Sequence, residues 1–205
     1  MKIAIIGTGN VGRALGEALI KKGYSVVYGS RDPASKASAV PKGAEVKAIK
    51  DALNDAEVAI LAVPNHAIEE IINAAGKDSF NGKIVVDVSN ALDKDFKPLN
   101  LQDSIAERIA KMLPNAKVVK AFNTVFAQNM SKAKVGRTKL TAFIAADDAE
   151  AKKRVMEISE KIGFEPVDAG ELKAARYLEQ LGLFQIHLGY FRSMGTNIGI
   201  KLVKA

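Results

Sequence analysis

A chain of 205 residues, 48% hydrophobic and 26% charged, has the balance of a soluble globule and the length of one domain with at most a small C-terminal lobe. The absence of cysteine rules out disulfides, thiolate catalysis, iron–sulfur clusters and Cys-ligated zinc, and an aromatic share of 6% without tryptophan argues against a stacking platform for single-stranded nucleic acid. The net charge of +7 is spread over Lys and Arg that interleave with Asp and Glu across 45–57, 93–111 and 147–173, so it reads as a solvated surface with a mild pull on polyanionic cofactors and predicts neither a nucleic-acid nor a membrane partner.

The first element is a short apolar strand over 2–6, followed by Gly7-Thr8-Gly9-Asn10-Val11-Gly12 opening a helix over 10–22. Gly7 permits a tight turn, Gly9 lets backbone approach a pyrophosphate, and Gly12 lets the helix pack closely on the strand. Free N–H groups and the positive dipole end at the helix start favour phosphates. Val11, Ala14, Leu15, Ala18 and Leu19 form one apolar face, and Gly23 is placed to end the helix. A second strand over 25–29 ends in Ser30 and Arg31, where an NAD site carries a ribose-reading carboxylate. A hydroxyl and a guanidinium there suit a 2′-phosphate instead, with Asp32 as the alternative partner for the arginine.

Apolar runs then recur near 57–63, 84–88, 117–122, 140–146 and 164–167, with a short strand around 45–47. Helical patterns lie between them near 66–75, 101–113, 148–162 and 171–190. Continuous apolar runs alternating with amphipathic helices predict a doubly wound parallel α/β sheet of the Rossmann type. Its nucleotide domain would span 1–146, and 147–205 would form a strand-and-helix lobe carrying acceptor and dimer contacts. Ala151, Val155, Ile158 and Ile162 make the core stripe of the helix over 148–162, capped by Asp147 or Asp148 and closed by Gly163. In the last helix, Leu181, Leu183, Phe184, Ile186 and Leu188 cover several faces, which predicts burial against a second subunit. No apolar stretch reaches membrane-spanning length and the chain enters a core strand at once, so the expected compartment is cytoplasmic.

Ligands of such a sheet lie at the strands' carboxyl ends. Three loops there carry polar residues: Val63-Pro64-Asn65-His66, Ser89-Asn90-Ala91 and Phe122-Asn123-Thr124-Val125. His66 reads either as a donor to nicotinamide or substrate or as a first-turn helix residue behind an Asn65 cap, and the residues favour the second. Asn90 and Asn123 either donate to a cofactor or hold loop backbone. Asp87 is a candidate acid, and His187 reads as a satisfied core or interface histidine. With two histidines and no cysteine, no metal site or nucleophilic triad is expected. A site this poor in acids and bases suits hydride transfer to a flavin-like ring, which carries its own electron sink, better than reduction of a carbonyl.

Taken over nearly its whole length, the sequence resembles the NADP oxidoreductases dependent on coenzyme F-420 and the related cytosolic domains of STEAP metalloreductases. The resemblance rests on the Gly7–Gly12 loop, on Gly29-Ser30-Arg31-Asp32-Pro33, on Val63-Pro64-Asn65-His66-Ala67-Ile68 and on Asp168-Ala169-Gly170. Ala175-Arg176-Tyr177-Leu178-Glu179, Met194-Gly195 and Ile198-Gly199-Ile200-Lys201-Leu202 extend it to the C-terminus. It implies NADP(H) at the glycine loop, with Thr8, Gly9, Asn10 and Val11 on the pyrophosphate and Ser30, Arg31 and Lys36 on the 2′-phosphate. Pro64, His66, Asn123 and Val125 would lie near the nicotinamide, acting by position. Phe122-Asn123-Thr124-Val125 departs from the Leu-His-Thr-Ile of deazaflavin-using members and looks more like the STEAP domains. Flavin, coenzyme F-420 and another small acceptor therefore all stay open, beside two alternatives: a carbonyl or imine reductase and a non-catalytic NADP(H) sensor.

Overall fold

The computed structural model describes residues 1–93, 95, 97–99 and 102–204. Its elements follow the alternation in the sequence. Strand β1 (Lys2–Ile6) leads to helix α1 (Asn10–Lys21), β2 (Ser25–Ser30), the short α2 (Pro33–Lys36), β3 (Glu45–Ala48) and α3 (Ile49–Asn54). Next come β4 (Val58–Leu61), α4 (Asn65–Ala75), β5 (Ile84–Asp87), α5 (Ile105–Met112) and β6 (Lys117–Lys120). The chain continues through α6 (Ala127–Met130), a hairpin of β7 (Lys134–Val135) and β8 (Thr138–Lys139), β9 (Thr141–Ala146), α7 (Ala149–Lys161), β10 (Glu165–Asp168) and α8 (Ala175–Ile186). A π-helical turn, His187–Phe191, prolongs α8.

The main sheet has eight strands in the order β10-β9-β6-β5-β4-β1-β2-β3. The run β3-β2-β1-β4-β5-β6 is parallel throughout, and its order reverses at β1, the switch point at which doubly wound sheets bind ligands. The sheet is mixed and not wholly parallel, because β9 joins β6 antiparallel, with Val119 opposite Ala146, and β10 follows β9. The reason lies in the link from β6 to β9. Its only described helix has four residues, too short for the crossover that a parallel neighbour requires. One core fills each face of the sheet: Leu15, Leu19, Tyr28, Val155 and Ile158 belong to the first, and Leu53, Ile68, Ile72, Phe80 and Ile109 to the second.

Helix ends follow local chemistry. Asp148 caps α7 by accepting the Ala151 N–H at 2.7 Å, and Gly163 ends it at φ +111°. Ser104 and Glu107 form a capping box that starts α5 at 105, a Ser-x-x-Glu signal legible in the sequence. The helix start expected at residue 101 lies outside the described residues. Helix α4 is capped by Pro64 with no side-chain hydrogen bond, so Asn65 is its first residue rather than its cap. Proline is preorganised for that position because its fixed φ matches the helix entry.

Helix α8 is tied to the sheet by ions. Lys120, at the end of β6, is fully buried, and its Nζ donates to Asp87 Oδ2 at 2.7 Å, Glu179 Oε1 at 2.8 Å and the Ser89 carbonyl at 2.6 Å. Glu179 also accepts the Ile105 N–H at 2.9 Å, so one carboxylate joins α8, α5 and β6. Burial pushes the Glu179 carboxyl above its ordinary value, against the pull of Lys120. Asp87 is thus sealed as an ion partner and is not the free acid its strand-end position suggested. One turn away, the Arg176 guanidinium grips Glu107 at 2.7 and 2.8 Å and Asp103 at 2.9 Å.

Two predictions follow from these ties. Lys120→Met strands two buried carboxylates, so it should destabilise the fold by about 3–5 kcal/mol, read from urea midpoints; an unchanged midpoint refutes the anchoring role. The hydrogen bonds from Arg176 hold the Glu107 carboxyl down to about 2, from an ordinary 4.5. A carboxyl whose pKa is lower in the folded state contributes stability above its unfolded value and loses it as pH falls through the folded one. Unfolding free energy should therefore decline as pH drops from about 4.5 toward about 2, and Arg176→Ala should flatten that slope.

Candidate functional site

The turn after β1 is set by backbone geometry. Gly7 has φ +114°, and a Cβ there would run into the Ala62 carbonyl at the end of β4. Gly12 lies so close under the turn that a Cβ would strike the Gly7 carbonyl. Gly9, by contrast, faces open space and serves as the N-cap of α1, which has no side-chain cap and no acidic residue in its first turn. The first N–H groups of α1 are therefore left for an anion.

Two cavities flank this loop and share Val63 and Pro64 as a common wall. The smaller, about 260 Å³, is lined by Gly7 and Thr8 together with Ser30, Arg31 and Lys36 from beyond β2. Arg31 does not turn to Asp32. Its Nη1 donates to Glu70 Oε1 on α4 at 2.9 Å, with both side chains about two-thirds exposed, at 64% and 65%. Asp32 instead caps α2 by accepting the Ser35 N–H, and hydrogen bonds from Ser35 hold its carboxyl below the ordinary range. The Ser30 hydroxyl accepts the Asp32 N–H at 3.1 Å, leaving its own hydrogen to donate.

The second cavity, about 450 Å³, lies at the carboxyl ends of β1, β4 and β5. Gly9, Asn10 and Val11 form one side, Val63, Pro64 and His66 another, and Val88, Ser89 and Asn90 the floor. Its surface is mainly apolar, and His66 stands exposed at its rim in the first turn of α4. Asn123 and Val125, expected beside the nicotinamide, do not line this cavity. Phe122 takes a left-handed backbone (φ +64°) beneath Phe164, which turns Asn123 inward. The Asn123 amide then donates to Asn90 Oδ1 at 2.8 Å and to the Leu178 carbonyl at 2.7 Å, while Asn90 donates back to the Asn123 carbonyl at 3.1 Å. Helix α8 seals the pair, since a Cβ at Gly182 would collide with both amides. Asn123 thus acts one layer behind Asn90, and Val125 is core. His187 is exposed and stacks on Phe191 at 6.0 Å, so it is not buried within this chain.

One residue that the sequence did not single out, Lys120, and one named there only as part of a strand-end loop, Ser89, belong to this site. Lys120 sits in an apolar strand, where only its fold-level neighbours reveal a role. Ser89 is flanked by the chosen Asp87 and Asn90, and its place on the cavity floor follows from the strand-end position.

Comparison with known proteins agrees with this geometry. The family model for NADP oxidoreductases, coenzyme F420-dependent, matches residues 2–91. Metalloreductase STEAP3 of Rattus norvegicus is 36% identical over 182 residues, covering 89% of this chain and 36% of that protein, so the chain spans little more than a third of that relative's length. A proposed F420-dependent NADP reductase of Arthrobacter sp. FB24 has a crystal structure that matches with a TM-score of 0.91 at 31% identity over 100% of both chains. An imine reductase from Pseudomonas sp. shares the fold alone, with a TM-score of 0.70 at 20% identity over 94% of this chain and 63% of that one. With a glycine loop at the sheet's switch point, cations where a ribose carboxylate would stand and a full-length structural match, the chain belongs to the coenzyme F420-dependent family of NADP oxidoreductases.

Proposed function

We propose that the protein transfers a hydride between NADP(H) and a flavin or deazaflavin ring of the coenzyme F-420 kind. The observation that carries this reading is the second cavity, a mainly apolar slot beside Gly9 whose one lining carboxylate, Asp93, accepts the Asp95 and Lys97 N–H groups, while the buried Asp87 is held in an ion pair. The residues present fit the dinucleotide. Gly9 leaves its approach open, the α1 N–H groups favour the pyrophosphate, and Ser30, Arg31 and Lys36 surround the place of a 2′-phosphate. NADP(H) held there would supply or take the hydride, and an acceptor ring with its own electron sink would need no acid from the protein. The chain's own part is to hold the ring against Val63 and Val88, to exclude water and to leave His66 at the rim as a positioning group.

We assign residues 147–205 to the acceptor side and to assembly. Tyr177, Phe184 and Phe191 repeat every seven residues along α8 and its extension, and all three are well exposed, Tyr177 at 78%. A second copy of this chain is the proposed cover, because a self-complementary patch closes as a two-fold dimer. Among the described residues no helix is long and apolar enough to cross a membrane.

The deciding assay follows NADPH oxidation with F-420, FMN, FAD, riboflavin and ferric chelates in parallel. Turnover with a ring acceptor is expected, and His66→Ala should change its single-turnover rate by less than about tenfold. Turnover only with imines or carbonyls, together with a loss of about 10²–10⁴-fold in His66→Ala, would establish the reductase alternative instead. NADPH binding without any turnover would leave a sensor.

Cofactor choice gives a second prediction. Arg31→Ala should erode the preference for NADPH over NADH by about tenfold or more, since a charge-assisted bidentate contact is worth about 1.5–3 kcal/mol. Glu70→Gln should act in the opposite sense. It frees Arg31 from an exposed pair worth at most about 1 kcal/mol, so NADPH should bind up to about fivefold tighter in calorimetry. For assembly, Phe184→Glu should yield monomers in light scattering, and a monomeric unmodified protein at micromolar concentration contradicts the dimer.

A further inference from the structure

Three side-chain oxygens buried where β5 and β6 end have no hydrogen-bond partner: Ser89 Oγ, Asn123 Oδ1 and Thr124 Oγ1. Of these residues only Ser89 lines the larger of the two nucleotide cavities. A hydroxyl buried without a partner is costly, and on a cavity wall a ligand is the group that can complete it.

The main chain of Ser89 has no slack. Its N–H donates to Asp87 Oδ1 at 2.9 Å, and its carbonyl accepts from Lys120 Nζ at 2.6 Å. Asp87 and Glu179 hold that ammonium in turn. Rotation about χ1 is the one freedom left to Ser89, and it moves only the hydroxyl. The neighbouring Asn90 amide gives one N–H and its oxygen to Asn123, which fixes its plane and leaves its second N–H as a donor. On this wall, between the apolar Val88 and Leu92, the Ser89 hydroxyl is the buried side-chain group with no hydrogen-bond partner among the described residues.

We propose that Ser89 anchors the carboxamide of the nicotinamide ring and that the Lys120–Asp87–Glu179 cluster positions it for that contact. This rests on the NADP(H) reading and deepens it. A carboxamide offers one donor group and one acceptor, and a hydroxyl can answer either. Fixing it sets the rotation of the ring and hence the face turned to the acceptor. Because Glu179 lies on α8, the same cluster links the ring's anchor to the helix that carries the proposed acceptor and dimer surface.

The test compares affinities, by calorimetry, for NADPH and for 2′-phospho-ADP-ribose, which lacks only the nicotinamide. Ser89→Ala should weaken NADPH by about 3- to 10-fold and leave the truncated nucleotide unchanged. Glu179→Gln should move the ratio of the two affinities in the same direction. A general loss of stability would not shift that ratio, and unfolding midpoints taken without nucleotide report stability separately. Equal NADPH affinity in Ser89→Ala, or parallel loss of both nucleotides, overturns the assignment of Ser89. A Glu179→Gln protein with an unchanged ratio overturns the positioning role of the cluster. If the unmodified protein binds neither nucleotide, the NADP(H) reading falls and this proposal with it.

Discussion

A buried ammonium organises the functional end of this protein. Lys120 brings one positive charge among two carboxylates and a carbonyl, and each acceptor belongs to a different piece of structure: β5, the loop after it, and α8. Burying a lysine is tolerable only when its donors are answered, so these pieces have little latitude to move apart. The apolar cores on either face of the sheet supply most of the stabilisation, but they are non-directional. The ion cluster adds direction at the corner where the cavity floor is made.

The glycine loop shows the complementary constraint, in which an absent side chain does the work. Gly7 and Gly12 draw strand, turn and helix together, whereas Gly9 presents backbone to open space. Tight packing behind the loop and openness in front of it are what turn a helix terminus into a seat for phosphates. Val63 and Pro64, shared by both cavities, then divide the site into a cationic end and an apolar end. A molecule that is charged at one end and aromatic at the other fits that division.

What could be read from the sequence was local. The loop, the exchange of a carboxylate for Ser30 and Arg31, the stripe and cap of α7 and the positions of the strands all depend on residues within about a helix length of one another. What could not be read was set by partners brought together by folding. Lys120 meets Asp87 across 33 positions and Glu179 across 59, and nothing in the apolar run around it announces an ion pair. Glu70 displaces Asp32 as the partner of Arg31 from 39 positions away. Asn123 turns inward because Phe122 adopts a left-handed conformation, which propensity does not predict for an aromatic residue. The direction of β9 depended on what the connection from β6 contains, ambiguous in the sequence until the helix within it proved to be a single turn.

The reversal of β9 also decides where the chain finishes. Strands β9 and β10 run opposite to the other six, and the chain is back at the carboxyl ends of those six by α8, where Glu179 meets Lys120 at the end of β6. The segment beyond Ile186 runs back to the opening of β9, where the Leu202 N–H donates to the Thr141 hydroxyl. It is fastened there by few polar threads, chiefly Asn129 to the carbonyls of Thr196 and Ile198 and Thr141 to that of Ile200. Segments fastened so lightly tolerate change in sequence and shape while the strands beneath them stay as they are.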